Sequence, residues 1–553
     1  MKRSERYTSV SFFVAFLTAT TLVIPNIILD FTEIDYNWIT IVLNIVFPFS
    51  SYLFITALFK ITGKGILMTF PFMLFCAFQI VLLYLYGESI IAVDMFLNVA
   101  TTDFDEASTL LNNLTPAIIL VIILYLPPLI YAVWNLINKK RIVRHKRLLL
   151  CGWSLPILLV SGIALLVFSL TGYVNPGRDI FPINVIKNLV TAVERNKTSK
   201  DYPASAADFK YSAKYTGNDR RVVALVIGET ARTDRWQLFG AEQPVNPHLS
   251  RRKNLYLFPK SLTQSNTTHK SVPMMLTPLT SENFDSLKNY KSIITAFKEA
   301  GYRTFWLTSQ PPNGSYTEKM SQEADSVIVM KYVPDVDLAT ASERLLSNVD
   351  RLDNVLLIYH TYGNHFPYNL RYRAESAVFK PDSPIEARAD NLERLLNAYD
   401  NATLATDLAV DSIISVLNKH ADYSAMVYAA DHGEDIFDDH RNRFLHASPA
   451  PTIYQLRVPM FVWLSDTLKS NDERDMTILA NTHKTVSPSV SVFHTVLDLG
   501  CVSTPYFDPQ KSLVNESFLE LPYLYLNDRN ESLPLERSGM KEIDWEIMKK
   551  EIF

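Results

Sequence analysis

Five long apolar runs near the N-terminus constrain the fold of this chain more than any other feature of its sequence. A helix needs ~20 mostly apolar residues to cross a hydrocarbon core of ~30 Å. The runs that reach this length lie near residues 9–29, 38–59, 66–86, 116–137 and 148–172. The first continues apolar past Pro25, which predicts a retained span rather than a cleaved signal. We therefore expect a five-span membrane domain over residues 1–175.

Basic residues in the short loops predict the orientation of these spans. Lysine and arginine favour the cytoplasmic side of a multi-span protein. They occur at residues 2–6, 60–64 and 139–147, whereas the alternate loops 30–37 and 87–114 contain none. The N-terminus is therefore expected in the cytoplasm. Five crossings then place the rest of the chain outside it.

Charge and cysteine content limit the partners and the covalent links of this chain. The formal net charge of -4 argues against a nucleic-acid partner, because phosphate neutralisation needs a concentrated basic face. Only Cys501 lies in the polar half, so no disulfide can form within it. We expect lipids of the membrane, and not nucleic acid, to be the partners.

The polar half is expected to contain a connecting segment and an α/β domain. Residues 179–196 place apolar side chains at helical spacing, which favours a helix on the membrane surface, and residues 197–218 are typical of a linker. From residue 219 to 553, short apolar runs alternate with helical patterns such as 292–300 and 391–420. This alternation predicts a mainly parallel sheet flanked by helices. The candidate strands are 221–228, 303–308, 325–330, 355–359, 425–430 and 460–464.

Residues able to bind a metal follow three of these strands. Glu229 follows the first, His365 comes soon after the fourth, and Asp431 and His432 follow the fifth. The carboxyl ends of parallel strands share one edge of a sheet, where ligands bind. Mixed carboxylate and imidazole ligands favour zinc, although ligand type alone also allows magnesium or manganese. His446 is a further candidate as a second-metal ligand or phosphate donor.

A hydroxyl-rich segment, residues 264–273, precedes a predicted helix and offers a nucleophile. Such segments are commonly capped loops. Composition does not choose Thr268 over Thr267 or Ser271.

Several motifs together resemble the phosphoethanolamine transferases of Gram-negative envelopes, in the alkaline phosphatase and sulfatase superfamily. They occur in the family's order, at residues 226–234, 268–273, 363–365, 397–401 and 430–434. The five-span topology resembles that family as well. The sequence departs from the pattern at Asp435, where serine is common, at His446-Ala447-Ser448, where His-Gly is usual, and in its lack of disulfides in the polar half.

The resemblance implies the composition of the site. It implies that Glu229, Thr268, Asp431 and His432 surround a catalytic zinc ion, and that Thr268 becomes phosphorylated. It further implies a second zinc or a substrate phosphate at His365 and His446, and a lipid site that includes Asn98 and Glu106.

The implied activity is zinc-dependent transfer of phosphoethanolamine from phosphatidylethanolamine to an envelope acceptor such as lipid A or the lipopolysaccharide core. The expected location is the bacterial inner membrane, with the catalytic domain, residues 219–553, in the periplasm. Three alternatives stay open: transfer of another head group such as phosphoglycerol, plain phosphodiester or sulfate hydrolysis, and a non-catalytic envelope sensor.

Overall fold

The computed structural model describes residues 3–32, 37–86, 91–101, 108, 111, 114–469 and 472–551. The chain divides into two compact units. The first consists of Met1–Ala100 and Phe104–Glu194, and the second of Thr101–Asp103 and Arg195–Phe553. The described part of the first unit is helical, and the second contains the sheet.

Helices long and apolar enough to cross a membrane dominate the first unit. Among the described residues four qualify, namely Tyr7–Ile28, Trp38–Ala57, Thr115–Ile137 and Arg144–Leu170. The helices Thr62–Met68 and Phe70–Tyr86 qualify together, bent by 51° at the break between them. The predicted number of five spans is reached when this pair counts as one. The remaining helices include Val93–Thr101 and Pro176–Asp179.

The first span is interrupted between the helices Arg3–Thr21 and Ile24–Thr32. Pro25 has no N–H to donate to the carbonyl of Thr21, so that carbonyl needs another donor in an apolar environment. The Tyr125 hydroxyl donates to it at 3.3 Å, and the Cys76 thiol donates to the carbonyl of Leu22 at 3.2 Å. Side chains from two other spans therefore stabilise the interruption.

One helix, Ile183–Ser205, extends well into the segment predicted as a linker. Its first half presents an exposed apolar stripe formed by Ile186, Val190 and Val193. Its second half is held by contacts that a polar sequence pattern does not reveal, since the Tyr202 hydroxyl donates to Glu323 at 2.7 Å. Tertiary contacts therefore extend the helix beyond its apolar pattern.

The second unit is built on a seven-stranded, mainly parallel sheet, as the strand pattern predicts. All six predicted strands form, and the edge strand β3 was missed because it has only three residues. The strands of this unit, including the short pairs outside the main sheet, are β1 (Lys214–Tyr215), β2 (Arg221–Gly228), β3 (Leu255–Leu257), β4 (Arg303–Thr308), β5 (Ser326–Val329), β6 (Val355–His360), β7 (Tyr423–Ala430), β8 (Asp435–Ile436), β9 (Phe444–Leu445), β10 (Met460–Leu464), β11 (Val502–Ser503), β12 (Leu524–Leu526) and β13 (Ser532–Pro534). The sheet order is β3-β10-β7-β2-β6-β4-β5, and only β10 runs antiparallel to its neighbours.

Strand β2 lies at the centre of the sheet and is buried throughout. Its side chains alternate between two hydrophobic clusters, as the period of a strand requires. On one face, Val223 and every second residue after it in the strand pack with the helices Ile293–Glu299 and Pro488–Leu499. On the other face, Val222 and every second residue after it pack with the helices Val336–Asn348 and Leu392–His420. The other helices of this unit are Thr268–Leu276, Tyr316–Ser321, Ile453–Leu456, Asp466–Lys469, Asp472–Asn481 and Glu542–Glu551.

The register of the central strands determines which residues meet at the sheet edge. Strand β2 pairs in parallel with β7, and Gly228 lies opposite Ala430. It also pairs in parallel with β6, and Ile227 lies opposite His360. The three strands therefore end side by side at one edge of the sheet.

Candidate metal and nucleophile site

Three potential metal ligands converge where β2 and β7 end. Glu229, Asp431 and His432 are buried, and one ligand atom from each lies within 4.8 Å of the others. The Nε2 atom of His432 is 3.6 Å from Glu229 Oε1 and 3.3 Å from Asp431 Oδ2. Neighbouring parallel strands that end in register thus bring all three side chains together.

The hydroxyl of Thr268 contacts this cluster from the first residue of the helix Thr268–Leu276. Its Oγ1 atom is 3.2 Å from Glu229 Oε1 and 3.1 Å from His432 Nε2. The hydroxyls of Thr267 and Ser271 both make contacts with Ser265 instead. The structure therefore distinguishes three hydroxyls that composition could not.

Hydrogen bonding and burial prepare His432 as a ligand. Its Nδ1 lies 2.9 Å from the carbonyl of Gly433, so Nδ1 carries the proton and donates it there. The lone pair on Nε2 then faces the cluster. Burial lowers the pKa of His432, which keeps the ring neutral.

The carboxylates of the cluster fit a divalent cation. Asp431 Oδ1 accepts hydrogen bonds from the amides of Thr230 and His432, at 3.1 and 2.7 Å. Asp431 Oδ2 is buried and has no hydrogen-bond partner among the described residues. Burial and the nearby Asp431 raise the pKa of Glu229 to about 7, and burial raises the pKa of Asp431 to about 6. A bound cation would satisfy the orphaned oxygen and offset both raised pKa values.

Two glycines allow the backbone to approach these ligands closely. Gly363 follows β6 with a φ of +49°, and a Cβ there would lie 2.6 Å from the carbonyl of Glu229. A Cβ on Gly433 would lie 2.2 Å from the carbonyl of Tyr454 and 3.0 Å from a side-chain carbon of Arg232. Glycine is therefore required beside both Glu229 and His432.

Replacing Gly433 by alanine is expected to displace the backbone that fixes His432. The methyl group has no space, so we expect a loss of ~1–3 kcal/mol in the free energy of unfolding and weaker metal binding. Denaturant unfolding and metal titration of Gly433→Ala measure both quantities. Wild-type stability together with wild-type metal affinity would show that this contact is not tight.

His446 and His365 extend the cluster toward one side. The ring of His446 lies 4.1 Å from that of His432, and the ring of His365 lies 6.1 Å from that of His446, centroid to centroid. His365 Nδ1 is 2.6 Å from the carbonyl of Phe366, to which it donates. Burial lowers the pKa of His446 well below its usual value, with neighbouring histidines adding to the effect. All three histidines were predicted candidates, and they form a row of ring contacts that begins at His432, which contacts Thr268.

Gln310 belongs to this site and was missed in the sequence. Its side-chain amide donates to Glu229 Oε2 at 3.0 Å and to the carbonyl of Thr361 at 2.7 Å, and it lies 3.2 Å from His360 Nε2. The amide orients the carboxylate of Glu229. Gln310 comes two residues after β4, and residues 309–312, which follow this strand, include no carboxylate, imidazole or thiol that would indicate a site.

A buried arginine and a tyrosine hold the turn that follows Glu229. Thr230 has a φ of +58°. The Tyr399 hydroxyl donates to the carbonyl of Thr230 at 2.8 Å and accepts from the amide of Arg232 at 3.0 Å. Arg232 forms ion pairs with Asp234 and Asp438 at 2.6 and 2.8 Å. Arg232 and Tyr399, which belong to the family motifs, therefore stabilise the turn rather than contact Thr268.

The two residues predicted for the lipid site lie elsewhere in the chain. Asn98 is partly buried on the helix Val93–Thr101, in the first unit. Glu106 lies outside the residues that the structure describes. A role for either in lipid binding stays a prediction.

Comparison with known proteins gives consistent results for the second unit. A family model described as Sulfatase matches residues 221–501, just over half of the chain. The curated phosphoethanolamine transferase EptC of Escherichia coli K12 is 27% identical over 324 residues, which are 55% of this chain and 55% of that protein. The chain thus spans about half the length of the curated relatives it matches. The predicted family resemblance is confirmed.

Solved structures extend the comparison to the fold. The C-terminal periplasmic domain of EptC from Escherichia coli, in complex with Zn, has a TM-score of 0.53 and 25% identity, and the match covers 59% of this chain and 95% of that one. The integral membrane protein lipooligosaccharide phosphoethanolamine transferase A (EptA) from Neisseria meningitidis has a TM-score of 0.69 and 20% identity, with 90% of this chain and 97% of that chain covered. The predicted fold class, membrane helices joined to a sulfatase-like α/β domain, is therefore confirmed.

Proposed function

Because the chain belongs to the sulfatase family, we propose that it is a membrane-bound enzyme that transfers phosphoethanolamine from phosphatidylethanolamine to an envelope acceptor, lipid A or the lipopolysaccharide core. One observation carries the proposal: the Thr268 hydroxyl lies within 3.2 Å of both Glu229 and His432 in a buried ligand cluster. Relatives named phosphoethanolamine transferases supply the identity of the transferred group.

Zinc is the proposed metal, held by Glu229, Thr268, Asp431 and His432. Their oxygen and nitrogen donors suit this ion. When bound, zinc would supply positive charge that favours loss of the threonine proton. His365 and His446 would hold either a second zinc ion or the phosphate of the substrate.

The proposed reaction has two displacements at phosphorus. The Thr268 oxygen attacks the phosphodiester, the bond to the diacylglycerol oxygen breaks, and that oxygen takes up the proton that threonine loses. Phosphoethanolamine is then carried on Thr268. An acceptor hydroxyl or phosphate attacks next, the bond to the threonine oxygen breaks, and the threonine regains a proton. Such a sequence produces ping-pong kinetics.

His446, whose ring lies against that of His432, would contribute to the transfer. Burial holds the pKa of His446 well below its usual value. A neutral imidazole carries one N–H, which can donate to an oxygen of the transferring phosphoryl group as charge spreads over it. His446 would therefore donate to a phosphoryl oxygen in the transition state. The N–H of His365 already donates to the carbonyl of Phe366, so a neutral His365 would offer its Nε2 lone pair to a second zinc ion.

Membrane attachment brings the enzyme to both of its lipid substrates. We propose that residues 1–175 form the membrane domain, 176–218 connect it, and 219–553 form a periplasmic catalytic domain of an inner-membrane protein with a cytoplasmic N-terminus. The exposed stripe at Ile186, Val190 and Val193 supports a position on the membrane surface. Confinement with the donor and acceptor raises their effective concentration.

The full-length protein in vesicles tests the transferred group. One set of vesicles contains phosphatidylethanolamine labelled in its head group, another contains labelled phosphatidylglycerol, and both contain lipid A. Label from ethanolamine should move to lipid A. Transfer of label to lipid A from phosphatidylglycerol alone would identify a phosphoglycerol transferase. Release of free phosphoethanolamine without transfer would identify a phosphodiesterase. A protein that contains no zinc and turns over neither lipid would favour a sensor.

A further inference from the structure

Four buried side chains form a continuous hydrogen-bonded chain, and one of its inner members, Asn266, lies two residues before the nucleophile in the sequence. Tyr525 donates to Asn266 Oδ1 at 3.0 Å, Asn266 Nδ2 donates to Gln455 Oε1 at 2.6 Å, and Gln455 Nε2 donates to Asp435 Oδ2 at 2.6 Å. We call these four residues the amide chain. In every hydrogen bond of this chain the donor is on the side of the Tyr525 phenol and the acceptor is on the side of the Asp435 carboxylate.

The amide chain fixes Asn266, two residues before Thr268. The second N–H of Asn266 donates to the carbonyl of Ser448 at 2.9 Å, so its oxygen and both of its N–H groups are used. Asn266 is 2% exposed. An amide with all of its partners inside the protein has one orientation. The loop that leads into Thr268 is therefore held through this side chain.

Two further hydrogen bonds attach this loop and the helix that follows it to the hairpin β12–β13. The amide of Leu526 donates to the carbonyl of Gln264 at 2.7 Å, and the buried Lys270 ammonium donates to the carbonyl of Asn527 at 2.6 Å. This hairpin lies beyond residues 221–501, the range that the family model matches. Residues outside the matched range therefore contact the chain both before and after Thr268.

Asn266 also reaches the segment that contains His446, since Ser448 follows that histidine by two residues. At the far end of the amide chain, Asp435 accepts from Gln455 and, at 2.6 Å, from the Thr452 hydroxyl. Both carboxylate oxygens are occupied within the protein. Asp435 therefore stabilises the chain and does not face a substrate.

We infer that Asn266 is a positioning residue, held by Tyr525, Gln455 and Asp435, which sets the Thr268 oxygen relative to the ligand cluster and the His446 segment. The catalytic consequence of this role rests on the proposed function. Misplacement of a reacting atom by about 1 Å can reduce a rate by ~100-fold. Loss of one link should have a smaller effect, because the hairpin contacts remain.

Tyr525→Phe removes one hydrogen bond and keeps the ring. We expect kcat to fall ~10-fold with KM and zinc content unchanged, and amide exchange across residues 264–271 to become faster. Tyr523→Phe is the matched control, because that hydroxyl, on the same hairpin, donates to the carbonyl of Lys260 at 3.0 Å. The control should leave kcat and the exchange of residues 264–271 as in the wild type.

A double-mutant cycle tests whether Tyr525 acts through Asn266. In an Asn266→Ala background, adding Tyr525→Phe should lower kcat no further. Independent, multiplying losses would overturn the inference, as would wild-type kcat and exchange in Tyr525→Phe. If the wild-type protein transfers no phosphoethanolamine, the proposed function fails, and hydrogen exchange alone then tests the positioning role of Asn266. Unchanged exchange of residues 264–271 in Tyr525→Phe would overturn that role. Faster exchange in Tyr525→Phe but not in Tyr523→Phe would support it.

Discussion

A Thr268→Ala protein is expected to lose phosphoethanolamine transfer by at least ~10⁴-fold, because the Thr268 hydroxyl contacts both Glu229 and His432, whereas the nearby Thr230 hydroxyl contacts Glu229 and not His432. The side chain contacts the ligand cluster from the end of a helix, so its removal leaves the sheet and the three other ligands in place. The protein should therefore fold and bind metal. Turnover of head-group-labelled phosphatidylethanolamine, with far-ultraviolet circular dichroism and metal content in parallel, measures these quantities.

Two variants control the Thr268 experiment. Thr268→Ser keeps an oxygen near the cluster and should retain measurable transfer. Thr267→Ala removes the neighbouring hydroxyl, which contacts Ser265 and not the cluster, and should retain activity within ~10-fold of wild type. Equal loss in Thr267→Ala and Thr268→Ala would assign the effect to the loop, and residual transfer in Thr268→Ala would identify another nucleophile.

Asp431→Asn should separate stability from function. Its Oδ1 can still accept from the amides of Thr230 and His432, while an N–H₂ group would replace the orphaned Oδ2 beside His432 Nε2. In chelator, the variant should be at least as stable as the wild type, since it removes one of two facing buried carboxylates. With zinc present, affinity should fall by ~100-fold or more, and transfer should be lost with it.

The pH dependence of stability gives the Asp431 experiment a second readout. The raised pKa values of Glu229 and Asp431 mean that the metal-free native state holds protons that the unfolded state releases. These two carboxyl groups should therefore make the free energy of unfolding fall as pH rises from the ordinary carboxyl range through about 7, the pKa of Glu229, whereas the lowered pKa values of His432 and His446 act in the opposite direction. Asp431→Asn should flatten this fall. Equal pH dependence of the free energy of unfolding in the metal-free wild type and in Asp431→Asn would contradict the arrangement.

Asp407→Asn is the matched control for the Asp431 variant. Asp407 is also buried, but its carboxylate accepts from the amides of His248 and Leu249 and not from residues of the cluster. The substitution should reduce stability and leave zinc affinity unchanged. Loss of zinc in both variants would mean that general destabilisation, and not a missing ligand, removes the metal.

Local pattern was sufficient for much of the fold. Strands such as 221–228 and 460–464 are apolar throughout, and buried parallel strands need little else to be recognised. Strand β3 has three residues and no periodicity to detect. The helix that ends at Ser205 extends through contacts of Tyr202 with distant residues, which no local pattern encodes.

The site was predictable to the extent that strand ends specify it. Glu229, Asp431 and His432 directly follow strands that lie side by side, so topology alone brings them together. Thr268 comes from a loop distant in sequence, and only its contacts separate it from Thr267 and Ser271. Gln310 and Asn266 act through partners 81 and 189 residues away in the chain, which is why neither was found from the sequence.

The most direct test of threonine-mediated phosphoethanolamine transfer is peptide mass spectrometry of the full-length wild-type protein, quenched after incubation with phosphatidylethanolamine and zinc in the absence of acceptor. We predict the mass increment of one phosphoethanolamine group on the peptide that contains Thr268, lost when lipid A is added. An increment on another residue, or transfer to lipid A with no increment on any peptide, would contradict the proposed mechanism.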